Sequence, residues 1–242
     1  MANDGICTEE QISAMLERLS GIRKKIAAAC EASGRSTDAV TLMAVTKTVD
    51  PVLINAAFDA GVTVLGENRV QEFLSKRDQY RPGADVQFIG HLQTNKVKQI
   101  IDKVSLIHSV DSPHLADAVN KAAAAAGIVM PVLIEVNIGG EDSKSGVNPD
   151  AAEALLRYVQ QLPNLRADGL MTIPPPMTDP EEQNRVFGEM RQLYDTLRAQ
   201  TPLHILSMGM SGDYEAAIRN GATLVRIGSA LFGARIYPQK TE

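Results

Sequence analysis

The sequence predicts an α/β protein, a single (β/α)8 TIM barrel with an extra N-terminal helix, and three observations carry that prediction. From Thr41 onward, eight short and nearly continuous apolar runs alternate with helical segments, as parallel strands covered on both faces require. The punctuation between them repeats: Asp50-Pro51, Ser112-Pro113, Asn148-Pro149 and Asp179-Pro180 each place a capping side chain before a first-turn proline. No linker or shift in composition divides the 242 residues, so 1–242 reads as one domain. The alternative is a doubly wound open sheet. That fold normally shows a topological switch point and often a glycine fingerprint after its first strand, and neither is visible. Eight right-handed βα units close more naturally into a barrel.

The elements follow in order. A helix over about 8–33 opens on the capping-box pair Thr8 and Gln11, and one face carries Ile12, Met15, Leu16, Leu19, Ile22 and Ile26. Gly34 is its expected stop, and the closed end of the barrel is the surface it is expected to cover. The strands read as "TLMAVTK", "VTVLGEN", "VQFIGHL", "SLIHSV", "VLIEVN", "ADGLMTI", "HILSMGM" and "TLVRIGS". Gly61, Gly127 and Gly221 are placed to close helices before the next strand.

Composition narrows the function classes. The formal net charge is −5 with the signs mixed and no basic block, which argues against nucleic acid and acidic membranes as partners. The first ten residues lack the basic and apolar regions of a signal peptide, and no apolar run is long enough to span a bilayer. Cys7 and Cys30 match no metal or redox spacing and suit a reducing compartment, so a cytoplasmic location is expected.

A barrel of this kind places its chemistry at the C-terminal strand ends. Reading those ends yields Lys47, Asn68, His91, Ser109, Asn137, Thr172, Ser211 and Arg226. Ser109 and Thr172 read best as caps or loop residues, and Asn137 reads equally well either way. Lys47 ends an apolar strand with no acidic neighbour in the sequence. Its ammonium either snorkels to solvent or, desolvated in a barrel mouth, serves as a Schiff-base nucleophile. "SMGMSGDYEAAI" and "VRIGSALFGA" each run from a strand through small residues into a helix, the first beginning near Ser211, the second at Gly228-Ser229. Paired at strands seven and eight, they predict a phosphate site. In a closed barrel that site adjoins strand one, so the implied ligand is a phosphate ester with an aldehyde. Arg226 should face the lumen, either paired with Glu67 or Glu135 or donating to the ligand. By position alone, His91 is expected to pack.

"AVTKT", "GENRVQE", "FIGHLQTNK", "SKSGV", "GLMTIPP", "SMGMSGD" and "VRIGSALFG" together resemble the pyridoxal 5′-phosphate homeostasis protein family, single-domain relatives of the alanine racemase barrel. The resemblance runs from about Thr41 to Arg235. It implies that Lys47 holds pyridoxal 5′-phosphate as a Schiff base and that Ser211, Gly228 and Ser229 bind its phosphate. It also implies that Arg226 faces the pyridine nitrogen and that Asn68, His91 and Met208 line the pocket. One departure is visible, Val86-Gln87 in "VQFIG", where the family usually shows an aromatic residue and a histidine.

The resemblance implies a non-catalytic protein that buffers, carries or regulates the cofactor, with pyridoxal-phosphate-dependent apo-enzymes as expected partners and a monomer or weak dimer as the expected state. The alternative is an amino-acid racemase or related enzyme. Racemases of this barrel type use a tyrosine from a second domain as opposite-face base, and the chain ends soon after Arg235 without room for one. A Schiff-base aldolase acting on a phosphorylated sugar fits the lysine and cradle but not the motifs.

Overall fold

The structure is a computed structural model that describes residues 7–140 and 145–233. Lys144 of the "SKSGV" motif and Arg235 lie outside the described residues. Eight parallel strands close in sequence order: β1 (Thr41–Val45), β2 (Val64–Glu67), β3 (Asp85–Phe88), β4 (Leu106–Val110), β5 (Met130–Glu135), β6 (Leu165–Met171), β7 (Ile205–Ser207) and β8 (Leu224–Ile227). Closure is made by β1 on β8, with Thr41 opposite Leu224 and Ala44 opposite Ile227. All eight expected strands are present, each inside the run that predicted it or within two residues of it.

The helices are α1 (Glu9–Ala32), α2 (Pro51–Asp59), α3 (Val70–Lys76), α4 (Val97–Ile100), α5 (Pro113–Ala126), α6 (Pro149–Gln160), α7 (Pro180–Arg198), α8 (Tyr214–Arg219) and α9 (Ser229–Phe232). The side chains of Asp50, Ser112, Asn148 and Asp179 each accept a backbone N–H in the first turn of the following helix. Thr8 and Gln11 form the reciprocal capping box.

Alternation along the strands sorts the core into two layers. Ala44, Leu65, Phe88, Ile107, Ile134, Leu170, Leu206 and Val225 join the large cluster between sheet and helices. The intervening residues fill the lumen: Met43, Val45, Ile89 and Leu224 form one small cluster, and Leu106, Leu133 and Met171 another. A Cβ at Gly66 would come within 2.5 Å of Met43 Sδ and 3.0 Å of Ile89 Cδ1, so a side chain there would force this lumen filling to shift.

The first helix does not cover the closed end of the barrel as expected. α1 packs beside α8, α9 and α2, in the outer ring. The helix after β8 has only four residues, and α1 fills the space it leaves. Three arginines fasten it there: Arg18 Nε donates to Leu231 O at 2.7 Å, Arg23 Nη2 to Ala60 O at 2.7 Å and Arg35 Nη1 to Ile218 O at 2.8 Å. Each meets a carbonyl near the end of a helix, where intrahelical donors run out. Leu16, counted on the apolar face, is 40% exposed. Met15, Leu19, Ile22 and Ile26 are buried.

Candidate functional site

At the C-terminal mouth a cavity of about 260 Å³ is lined by Val45, Lys47, Asn68, Ile89, Ile173, Met210, Ser211, Gly212, Arg226, Gly228 and Ser229. Six of the eight expected site residues are among them: Lys47, Asn68, Ser211, Arg226, Gly228 and Ser229. His91 and Met208 are not. The His91 side chain is 60% exposed, with Nδ1 3.5 Å from Ser145 Oγ and 3.9 Å from Asp111 Oδ2, so it does not pack as its position suggested. Met208 is fully buried, but strand alternation turns it outward into the sheet–helix layer. Two residues along, Met210 supplies the methionine of the cavity wall. Nothing in local periodicity separates the two, because β7 ends at Ser207 and both follow it.

Lys47 lies two residues beyond the end of β1, and its neighbours on both sides are held. Thr46 Oγ1 donates to Glu67 Oε1 at 2.7 Å, and its carbonyl accepts from Lys76 Nζ at 2.7 Å. Thr48 takes the left-handed conformation, φ 60°, and its N–H donates to Glu72 Oε1 at 2.5 Å. Lys76 joins these anchors, 2.8 Å from Glu72 and 3.4 Å from Glu67. Tyr80 Oη also donates to Glu67. Glu67 is therefore engaged behind Lys47, not with Arg226.

Asn68 follows β2, and its backbone is gripped by Gly90: a Cβ there would come within 2.1 Å of Asn68 O. Asn68 Oδ1 is buried with no hydrogen-bond partner, an acceptor left over at the cavity wall.

Ser211 and the start of α9 are joined at the cavity wall. Ser211 Oγ accepts from Gly228 N at 3.3 Å and Ala230 N at 3.2 Å, leaving its own proton to donate. The N–H of Ser229, in the first turn of α9, has no intrahelical acceptor. One expectation fails here. The helix after β7 begins at Tyr214, not near Ser211, because Met210 N donates to Asp213 Oδ1 at 2.5 Å and closes a turn first. One helix start, not two, meets the cavity.

Arg226 is 2% exposed, and among the described residues its hydrogen bonds go to neutral oxygens. Its Nη1 donates to Ser207 Oγ at 2.7 Å and its Nη2 to Thr172 O at 2.7 Å. Thr172, read as a loop residue, thus holds the arginine through its carbonyl. Burial lowers the Arg226 pKa to about 10, against the attraction of Asp213 and Glu135. Glu135, in the lumen, is pushed up to about 7 by burial, with Asp111 adding and Arg226 opposing. Its Oε2 has no hydrogen-bond partner. Ser109 is buried within β4, and Asn137 N donates to Val147 O at 2.9 Å.

The sequence reading missed a buried polar cluster beneath the pocket: Gln87, His108 and Ser207. Its signal was present, a histidine in the middle of "SLIHSV" and the Gln87 noted as a departure. Among the described residues, no group of three or more His, Cys, Asp or Glu side chains could hold a metal ion, and no helix is long and apolar enough to cross a membrane.

The family described as alanine racemase, N-terminal domain, matches residues 18–236. The pyridoxal phosphate homeostasis protein of Aquifex aeolicus is 48% identical over 91% of this chain and 98% of its own length. A crystal structure of an unknown protein from Bifidobacterium adolescentis superposes with a TM-score of 0.90 at 35% identity, covering 94% of this chain and 98% of that one. PipY of Synechococcus elongatus PCC7942, solved with PLP bound, has a TM-score of 0.79 at 32% identity, over 90% of this chain and 100% of that one. The chain belongs to the alanine racemase N-terminal domain family and, within it, to the pyridoxal phosphate homeostasis proteins.

Proposed function

We propose that this chain binds pyridoxal 5′-phosphate at the barrel mouth and serves pyridoxal phosphate homeostasis in the cytoplasm as a non-catalytic carrier or buffer, holding the cofactor on Lys47 as a Schiff base. The observation that carries this reading is that Lys47, the Ser211–Gly228–Ser229 cradle and Arg226 border one cavity. The residues fit the group. Ser211 and the amide end of α9 suit a phosphate, the unpartnered Asn68 Oδ1 suits a polar ring substituent, and Arg226 suits the ring nitrogen. The name carried by relatives such as that of Aquifex aeolicus, and the PLP bound in PipY, support the same assignment.

Pyridoxal phosphate supplies an electron sink when its ring nitrogen is protonated. An arginine with a pKa of about 10 stays charged at neutral pH and donates a hydrogen bond without surrendering its proton, which weakens that sink. This favours storage over carbanion chemistry. The whole chain, 1–242, is proposed to act as one domain, as a monomer or weak dimer, with pyridoxal-phosphate-dependent apo-enzymes as recipients.

The test mixes loaded protein with the apo-form of a pyridoxal-phosphate enzyme and compares recovered activity with that given by an equal amount of free cofactor. A second arm follows deuterium incorporation at Cα and chirality of alanine in heavy water. Delivery without multiple turnovers of exchange is expected. Rapid, Lys47-dependent racemisation would instead make the chain an enzyme.

A further inference from the structure

Arg226 stands at one end of a hydrogen-bond chain that crosses the barrel lumen. Its Nη1 donates to Ser207 Oγ on β7 at 2.7 Å. Ser207 Oγ lies 3.1 Å from His108 Nδ1 on β4, and His108 Nε2 lies 2.8 Å from Gln87 Oε1 on β3. Gln87 Nε2 reaches Asp85 Oδ2 at 2.8 Å, at the first residue of β3, and Ser105 Oγ donates to Asp85 Oδ1. Ser207, His108, Gln87 and Arg226 are all buried, whereas Asp85 is half-buried at the opposite, N-terminal end of the strands.

The chain has a direction, and its far end sets it. A carboxylate only accepts, so the Gln87 amide must turn its NH2 towards Asp85 and its Oε1 towards His108. Oε1 also only accepts, so the proton of His108 sits on Nε2. Burial, with the charge of Arg226 adding, keeps His108 neutral, its pKa well below the ordinary histidine value. Nδ1 is then an acceptor and takes the Ser207 hydroxyl proton. That leaves the Ser207 oxygen lone pairs facing Arg226. With the opposite tautomer, His108 Nδ1–H would compete with Arg226 for those lone pairs and leave the Ser207 proton without its acceptor.

We propose that Asp85, on the far side of the barrel from the cavity, is a positioning residue for Arg226, acting through the directed chain Gln87–His108–Ser207. Its consequence for ligand binding rests on the pyridoxal phosphate reading; the chain itself does not.

The test uses the unliganded full-length protein, labelled on histidine and arginine with 15N. Two-bond 1H–15N spectra should show His108 as the neutral Nε2–H tautomer, and the Arg226 Nη groups should give separate, slowly rotating signals. In Asp85→Ala the single tautomer should be lost and the Arg226 signals should coalesce. Asp85→Asn should restore both, because its amide oxygen can accept from Gln87 while the Ser105 hydroxyl turns to accept its NH2. A third arm titrates pyridoxal phosphate: Kd should rise about three- to tenfold in Asp85→Ala, the scale of one net hydrogen bond, and stay within about twofold in Asp85→Asn. An Nδ1–H or charged His108 in the wild type overturns the proposal, even if Asp85→Ala does not fold. So do a tautomer or Arg226 signals unchanged by Asp85→Ala. If the unliganded protein behaves as expected but the wild type takes up no pyridoxal phosphate, the proposed function fails and the positioning of Arg226 stands.

Discussion

Ser211 illustrates how one side chain organises a cavity wall: its oxygen gathers the Gly228 and Ala230 amides and leaves its own proton to donate. Ser211→Ala should weaken retention of pyridoxal phosphate by about 1–3 kcal/mol, the cost of a lost hydrogen bond to a charged group, and Ser229→Ala should act in the same direction. Equilibrium dialysis with pyridoxal, which lacks the phosphate, provides the control, and its binding should be nearly indifferent to either change. Equal losses for both ligands would remove these serines from the phosphate site. Glu135 yields a different prediction. Its folded pKa of about 7 lies above the unfolded value of about 4.3. Between those values the native state holds more protons than the unfolded state, so this group's contribution to stability falls as pH rises from about 4.5 through 7. Glu135→Gln should therefore exceed the wild type in stability at pH 8, on the order of 1–3 kcal/mol, with the gap closing towards pH 5. Urea melts at the two pH values measure it, and a gap that does not depend on pH would contradict the assignment.

β1 and α3 show the same logic between elements. Lys76, at the last turn of α3, reaches the carbonyl of Thr46 and two glutamates, and so ties the strand that presents Lys47 to the next βα unit. Lys76→Met should destabilise the protein by about 3–5 kcal/mol, because Glu67 would then be a buried carboxylate without its cation. Adding Glu67→Gln should recover part of that loss in thermal melts, whereas strictly additive losses would show that the two are not coupled. The strands and caps were legible because each is a local pattern, an apolar run or an Asp-Pro pair. That Lys47, Ser211, Arg226 and Gly228-Ser229 would border one cavity was legible because a barrel orders its strand ends. Met208 was misplaced because the chain leaves β7 after Ser207, and alternation turns it to the helix layer. The partners of Glu67 come from beyond the end of the neighbouring β1 and from α3 and Tyr80, and the chain joining Gln87 to Arg226 depends on β4 facing β7 across the lumen. Spacing in sequence does not encode that.

Over the whole molecule, the barrel's two ends and its seam cooperate. α1 completes the outer ring beside α9, and Arg18 grips Leu231 O, so the N-terminal helix braces the short helix whose first residues border the cavity. Across the lumen, polar side chains from β3, β4, β7 and β8 interrupt the apolar filling and end at Arg226. Lys47, Ser211, Gly228, Ser229 and the buried Arg226 border one cavity, which under the proposed function would hold an aldehyde-bearing phosphate ester. The most direct test is to load the protein with pyridoxal phosphate, reduce it with borohydride and map the modified peptides by mass. A single phosphopyridoxyl group on Lys47 is the predicted result; modification of Lys96 or Lys144 with Lys47 untouched would contradict it.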